Sequence, residues 1–371
     1  MEKVYLDFNA STPIAPEVVE AMTPLLMDYY GNPSALHWAG KPVKELLHKA
    51  RSQVAKLIDC KENEIIFTSG GSEANNLALK GICFHNFDKG NHIITSRIEH
   101  PAIMNPCRFL ERLGAKVTYV GVDEYGRVAP EEIENAITKE TILISIMHAN
   151  NETGTLQPIK EIGKIASKHG LTFHTDASQS LGKVEVNVAD LNVDMLTIAG
   201  HKLYAPKGIG ALYVREGIKL EPLIHGASHE NGMRAGTENT LLAVGLGKAC
   251  ELANKTTLGV QELTHYFWHR LENEFAERVQ LNGHPTERLP NTLNVSFVGK
   301  VGQELLDEIP YLAASTGSAC HAGSVELSPV LKEMGVTEKV GMGAIRFSLG
   351  RHTTKEEIDR VVDSLVAVEK G

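Results

Sequence analysis

Asp176 and Lys202 each stand just past a short apolar run. The first run, Leu171-Thr172-Phe173, leads into His174-Thr175-Asp176-Ala177-Ser178-Gln179. The second, Met195-Leu196-Thr197-Ile198, leads into Ala199-Gly200-His201-Lys202. If both runs are strands of one sheet, the carboxylate and the amine reach the same rim. An acid that keeps a pyridine nitrogen protonated and a lysine that forms a Schiff base are what a protein supplies to pyridoxal phosphate. Gln179 can donate to the phenolic oxygen of such a ring, and His201 can reach a phosphate. A turn acid and a surface lysine would look the same in isolation, so the other motifs decide.

Phe67-Thr68-Ser69-Gly70-Gly71-Ser72-Glu73-Ala74 runs from an apolar stretch through two glycines into a helical pattern. Glycines let backbone amides approach an anion, and a helix N-terminus favours negative charge. Ser72 adds a hydroxyl. No Gly-Lys-Ser/Thr follows, so this is not a nucleotide P-loop. The simpler alternative is a glycine turn with Ser72 as a helix cap. Ile98-Glu99-His100-Pro101 marks another turn into a helix, where a histidine can stack on a ring or move protons. His148-Ala149-Asn150-Asn151-Glu152-Thr153-Gly154 follows the most apolar strand pattern and offers neutral amides, although Asn and Gly also suit an ordinary turn. The guanidinium of Arg351, after Gly350, can clamp a carboxylate in two places; Arg346 is expected to be structural. Cys320 lies among small residues, Ser315-Thr316-Gly317-Ser318-Ala319-Cys320-His321-Ala322-Gly323, as in a mobile exposed loop. His321 beside it favours the nucleophilic thiolate.

These residues need a scaffold that brings strand ends together. Strands are predicted at 64–67, 92–95, 116–120, 141–147, 171–175, 193–198 and 210–214. Helices are predicted at about 72–84, 101–113, 130–137 and 159–168. Strands alternating with helices imply a mostly parallel sheet covered on both faces, with ligands at the carboxyl ends of the strands. Two long helical patterns follow, at about 238–255 and 259–279. A sparser α+β pattern completes the chain, with strands at 292–298 and 344–349 and a helix from Thr354. Leu6-Asp7-Phe8-Asn9 is an extended segment that can join this second part.

The chain has 371 residues, too many for one ordinary core. Its net charge of -9, without a basic cluster, argues against a nucleic-acid or anionic membrane surface. No apolar run approaches the roughly 20 residues that span a bilayer, and Met1–Asp7 does not read as a signal peptide, so a cytoplasmic protein is expected. Of the five cysteines, Cys83 and Cys250 read as packed thiols and Cys60 and Cys107 carry little signal. The odd count and absence of Cys-x-x-Cys spacing argue against a disulfide framework or a zinc site. A metal site built from His100, His148, His174 and His201 lacks compact ligand spacing.

Together these motifs resemble the class V, fold-type I pyridoxal phosphate enzymes. Within that class the chain is most similar to the NifS/IscS group of cysteine desulfurases and their relative, selenocysteine lyase. The likeness runs end to end. It takes in Asp7–Pro13, Tyr30-Gly31-Asn32-Pro33-Ser34, Thr68–Asn75, Glu99-His100, His148–Gly154 and His174–Gln179. It continues through Gly200–Gly210, Met233-Arg234-Ala235-Gly236-Thr237, Gly317–His321 and Gly350-Arg351.

The resemblance implies an α/β fold of type I: a large domain over residues 14–257 with a mostly parallel sheet flanked by helices, and a smaller α+β domain from 1–13 and 258–371 carrying the Cys320 loop. It implies pyridoxal 5'-phosphate as cofactor, bound by Lys202 as a Schiff base. Asp176 is matched to the ring nitrogen, Gln179 to the phenolic oxygen, and His100 to ring stacking and proton transfer. Ser72, Gly71 and His201 match phosphate ligands. Thr237 matches a residue that reaches the phosphate of a neighbouring subunit, which implies a homodimer. Asn151, which also belongs to the cofactor set, matches a substrate-carboxylate residue together with Arg351, and Asn32 joins the substrate set. Cys320 matches the nucleophile.

The implied reaction converts L-cysteine to L-alanine and leaves a persulfide on Cys320. An acceptor such as an iron–sulfur scaffold or a thiolation factor then takes the sulfur; no membrane or direct nucleic-acid partner is expected. Two departures stand out. Ala199 occupies a position where relatives often carry a serine that contacts phosphate. His321 replaces the threonine common after the nucleophile, and a histidine there is similar to selenocysteine lyase, which stays open as an alternative activity. A non-catalytic scaffold or sulfur-relay subunit is the farther alternative, against which Lys202, Asp176 and Cys320 all argue.

Overall fold

The computed structural model describes residues 2–253, 258–316, 320–321 and 324–370. Its strands are β1 (Val4–Tyr5), β2 (Ile65–Thr68), β3 (His92–Ser96), β4 (Lys116–Val120), β5 (Thr141–Ser145), β6 (Thr172–Asp176), β7 (Met195–Ala199), β8 (Gly210–Val214), β9 (Val279–Asn282), β10 (Thr292–Phe297), β11 (Leu312–Ala313), β12 (Cys320–His321), β13 (Ser324–Val325) and β14 (Ala344–Ser348). Its α-helices are α1 (Pro16–Met22), α2 (Gly40–Ile58), α3 (Gly71–His85), α4 (Pro101–Arg112), α5 (Pro130–Ala136), α6 (Ile159–Lys168), α7 (Val188–Leu191), α8 (Thr240–Ala253), α9 (Leu258–Phe275), α10 (Gly302–Asp307), α11 (Pro329–Glu333), α12 (Glu338–Gly341) and α13 (Lys355–Lys370).

Seven strands form the central sheet in the order β2-β8-β7-β6-β5-β3-β4. The pairs β7–β6, β6–β5, β5–β3 and β3–β4 are parallel. β8 is antiparallel to both β7 and β2, so β2 runs in the same direction as β7. Strands β2, β3, β5, β6 and β7 therefore end at one rim. Every functional motif read from the middle of the sequence follows one of those five ends.

Alternate residues of the strands enter opposite cores, as the pleat requires. Ile65 and Phe67 of β2, Leu196 and Ile198 of β7, and Ala211 and Tyr213 of β8 pack with Leu47, Val54, Ile162, Leu246 and Ala249 from α2, α6 and α8. Ile66, Met195, Leu212 and Val214 pack on the other face with Leu77, Ile82, Ile103 and Leu110 from α3 and α4. A separate core joins β9, β10 and β14 to α9 and α13 through Phe267, Leu271, Leu293, Val295, Phe347, Ile358 and Leu365. Val4 and Leu6 of the N-terminal segment belong to that core. β1 pairs parallel with β11, and Asp7 forms a bridge to Ser348.

Two long helices depart from the sequence expectation. The long helix α2 is absent from that expectation, although Val43, Leu47, Ala50, Val54 and Ile58 bury one stripe of it. It crosses α8 closely: a Cβ on Gly247 would come within 2.6 Å of the Ala50 Cα. The helix expected to reach residue 279 ends at Phe275, because Ala276 takes a left-handed φ of 49°. Val279 instead starts β9, paired antiparallel with β10.

Candidate active site

The shared rim borders a cavity of about 690 Å³. That volume is within the ordinary range for a cofactor or substrate pocket. Its lining includes Gly71, Ser72, His100, Asn151, Asp176, Gln179, His201 and Lys202, all singled out from the sequence. Asn32, Thr237 and Arg351 are outside that lining. Cys320 is described only as backbone, in the β12–β13 pair opposite Val325; its thiol and the His321 ring lie outside the described residues, as do Gly317, Ser318 and Ala319.

Asp176 ends β6 opposite Thr197 of β7. Its Oδ2 accepts from Asn75 Nδ2 at 2.7 Å and its Oδ1 from the Ser178 amide at 2.9 Å. Both oxygens keep lone pairs for a further donor in the cavity. Asn75 comes from the first turns of α3, so the helix that begins at the glycine turn also fixes the acid. Glycine keeps that turn open. Gly70 has φ 152°, and a Cβ on Gly210 would come within 2.7 Å of the Gly70 carbonyl carbon. The first intrahelical bond is Ala74 N–H to Gly70 O at 3.1 Å. The amides of Gly71, Ser72 and Glu73 precede it and have no acceptor within the helix. The three residues line the cavity, which makes a seat for an anion.

Lys202 follows β7 through one tight turn. Its Nζ donates to the carbonyls of Asn9 at 2.5 Å and Ala10 at 2.8 Å. Burial, followed by the Arg346 guanidinium, pulls its pKa down to about 8, against the opposing pull of Asp7 and Asp176. The amine is therefore partly unprotonated near neutral pH. His201 is lowered to about 4, first by burial and then by Lys202, Lys207 and His100. It is neutral at pH 7 and can donate as well as accept.

His100 caps α4, its Nδ1 accepting the Ala102 amide at 3.0 Å. A neutral ring in that pose carries its proton on Nε2. Solvent reaches the ring from the cavity, while surrounding protein lowers its pKa by desolvation and Lys202 lowers it further, against Asp176. The amide donor and the positive end of α4 act in the same direction. Glu99, beside it, is fully buried and raised to about 8 by desolvation, despite bonds from Met147 N and Ser96 Oγ to Oε1. His148 and His174 sit below the rim, bonded to Ser180 and to Ser145 and Thr197.

The two arginines near the C-terminus lie in different cavities. Arg346, on β14, lines the large cavity. It donates to the Asn151 carbonyl at 2.8 Å and to Asp7 Oδ1 at 2.7 Å. Arg351 instead lays its guanidinium 3.7 Å from the Tyr204 ring centre and lines a smaller cavity of about 50 Å³. Lys202 borders both. Tyr204 is itself in a left-handed conformation, φ 62°. Gly350 lies against Phe8, where a Cβ would come within 2.2 Å of the ring.

Asn32 and Thr237 are exposed. Asn32 Oδ1 accepts the Ser34 amide at 2.9 Å. The turn before Thr237 is tied to the anion seat, since Arg234 Nε bonds Glu73 Oε1 at 3.0 Å and Glu73 Oε2 accepts the Ser69 amide at 2.8 Å. Sequence reasoning alone misses Asn9, Asn75, Lys183 and the cavity position of Arg346. Asn75 carries a usable signal, one turn after Ser72 on the same helix. Asn9 and Arg346 become visible only through contacts between distant segments, and Lys183 through its bond to Asn9 beside the one to Gln179, four residues away.

The chain is similar to known proteins over nearly its whole length. The cysteine desulfurase IscS of Dictyoglomus turgidum is 48% identical over 369 residues, covering 98% of this chain and 93% of that protein. A solved NifS-like protein superposes with a TM-score of 0.93 at 34% identity, covering 99% of both chains. The structure of SspA in complex with cysteine superposes at 0.84 with 40% identity, covering 94% of this chain and 99% of that one. The Aminotransferase class-V family matches residues 4–361, and the chain belongs to that family.

Proposed function

We propose that this protein is a pyridoxal phosphate-dependent cysteine desulfurase that converts L-cysteine to L-alanine and carries the sulfur as a persulfide on Cys320. The observation that carries the reading is the single cavity in which Asp176, Lys202, His100, Gln179 and the amide seat at Gly71–Glu73 meet. The residues fit the cofactor: three amides without helical acceptors suit a phosphate, and a doubly bonded carboxylate with free lone pairs suits a protonated ring nitrogen. The match to proteins named cysteine desulfurase, over nearly the whole chain, supports the same conclusion.

When bound, pyridoxal phosphate supplies an electron sink for charge developing at the α-carbon of an amino acid. Asp176, held by Asn75 and Ser178, keeps the ring nitrogen protonated. The Gly71, Ser72 and Glu73 amides, the Ser72 hydroxyl and His201 hold the phosphate; the methyl of Ala199 contributes no hydroxyl there. Gln179 donates to the phenolic oxygen. His100 stacks on the ring and moves protons through Nε2. Lys202 holds the cofactor covalently, and its amine, once free, takes the α-proton. Asn151 and Arg346 receive the substrate carboxylate, a role for which the lining of the cavity favours Arg346 over Arg351. The Cys320 thiolate attacks the substrate sulfur. A sulfur–sulfur bond forms, the carbon–sulfur bond breaks with its electron pair on carbon, and protonation of that carbon together with return of a proton to the α-carbon from Lys202 gives alanine.

The protein acts as a homodimer in this reading. Met27, Tyr30, Leu36 and Trp38 are each more than 70% exposed on one segment beside Asn32, an apolar face that a second copy would cover. Thr237, outside its own cavity, then reaches the partner's phosphate, and Asn32 the partner's substrate. The large domain comprises residues 14–257, and the small domain 1–13 and 258–371. The sulfur acceptor is an iron–sulfur scaffold or thiolation factor in the cytoplasm. Among the described residues no helix is long and apolar enough to cross a membrane.

The test is to supply the purified, cofactor-loaded protein with L-cysteine or selenocysteine and assay alanine and released sulfide or selenide. Alanine from cysteine supports the reading. Turnover of selenocysteine alone makes the protein a selenocysteine lyase, and turnover of neither makes it a scaffold.

A further inference from the structure

We infer that Lys183 is a positioning residue of the active site: by taking the Gln179 amide oxygen and the Asn9 side-chain oxygen, it turns the Gln179 NH2 toward the cavity. The inference rests on the cofactor reading given above. Lys183 Nζ donates to Gln179 Oε1 at 3.1 Å and to Asn9 Oδ1 at 2.9 Å. Asn9 is fully buried, and its Nδ2 is committed to Thr292 Oγ1 at 2.8 Å, so Oδ1 is the end left for the lysine. The Asn9 carbonyl accepts from Gln179 Nε2 at 3.0 Å and from Lys202 Nζ at 2.5 Å. One lysine thus fixes both the amide that faces the ring and the residue on whose carbonyl the reactive amine rests.

The arrangement is unusual in its charges. The two acceptors of Lys183 are amide oxygens, and among the described residues no carboxylate is bonded to it. Burial, then Lys202 and Arg346, hold its pKa well below the ordinary lysine value. A primary amine without charge still donates two hydrogen bonds, which is what the two oxygens require. With Gln179 Oε1 taken, the amide presents only N–H to the rest of the site. One N–H meets the Asn9 carbonyl, and the other is free for an anionic ring oxygen. Such a donor stabilises the oxygen in its ionised form and lowers the pH at which the lysine-bound cofactor loses its proton.

The readout is the visible band of the cofactor-loaded protein titrated with pH. Lys183→Met is expected to raise the midpoint by about one pH unit, the size of one ordinary hydrogen bond. Gln179→Leu is expected to do the same, and the double variant to shift no further, because Lys183 acts through Gln179. Lys183→Gln, too short to reach both oxygens, replaces the Met variant if that one does not fold, with a shift in the same direction. The other charged groups near the site, Lys202, Arg346, Asp7, Asp176, His100 and His201, are unchanged in each variant. An unaltered midpoint in the Lys183 variants, or additive shifts in the double variant, overturns the inference while leaving the cofactor reading intact. A parent protein that gives no band with the cofactor overturns both.

Discussion

Asn75 donates to Asp176 across the gap between α3 and β6, at 2.7 Å, with Asn75 almost fully buried. The helix that opens the anion seat therefore also sets the orientation of the carboxylate assigned to the ring nitrogen. In the proposed cofactor site, one rigid unit would hold both phosphate and ring. Asn75→Ala removes a bond to a charged group, worth about 1.5–3 kcal/mol, and should weaken cofactor binding roughly tenfold to a hundredfold. Asn75→Asp should weaken it further, because two carboxylates at that distance cannot both ionise. Absorbance titration of the apoprotein with cofactor measures both. Unchanged affinity in the two variants would contradict the assignment of Asp176.

Only an unprotonated amine attacks a carbonyl carbon. With Lys202 lowered to about 8, the rate at which the apoprotein binds cofactor covalently should rise with pH and level off above about 8. An ordinary lysine would still be gaining rate near pH ~10. Arg346 is one cause of the lowering, so Arg346→Gln should move the midpoint upward. Rapid-mixing absorbance across the pH range gives both curves. A midpoint near pH ~10 in the parent protein, the ordinary lysine value, would show that the amine is not held as described.

Glu99 provides a stability test with a defined sign. Its folded pKa of about 8 lies above its ordinary value of 4.5, chiefly through burial. The folded state therefore binds more protons than the unfolded state between those values, and stability from this group falls as pH rises through that window. Below it the contribution is neutral, and above about 8 the full penalty is present. Glu99→Gln keeps an acceptor for Ser96 and Met147 and removes the ionisation. Its advantage over the parent in urea denaturation should grow from about pH 5 to about pH 8 and then level off. An advantage that does not change with pH would mean that Glu99 is ionised throughout.

Much of the site is legible in the sequence because its residues follow strands. Asp176, Lys202, Ser72 and His100 each come after an apolar run and a turn signal, and the direction shared by β2, β3, β6 and β7 gathers them. Arg346 and Arg351 show where that logic stops. Both stand near the end of one strand pattern, and nothing local distinguishes them. The contact of Gly350 with Phe8, from the other end of the chain, carries Arg351 onto Tyr204. Asn9 is hidden for the same reason, since its bonds to Lys183, Lys202 and Thr292 join segments far apart in sequence. Helix α2 has a readable buried stripe, but its many polar residues obscure the period. The packing of Cys83 and Cys250 follows from their apolar surroundings in the sequence; Cys107, which carries little signal there, is buried as well, and burial raises each thiol's pKa.

The most direct measurement is the mass of the Cys320 peptide after the cofactor-loaded protein has met L-cysteine, with alanine assayed in the same sample. A cysteine desulfurase of this kind gives a Cys320 peptide heavier by one sulfur atom and one alanine for each sulfur transferred, and Lys202→Ala gives neither. Alanine formed at the parental rate by Cys320→Ser, or an unmodified Cys320 peptide beside full alanine production, would contradict the persulfide mechanism.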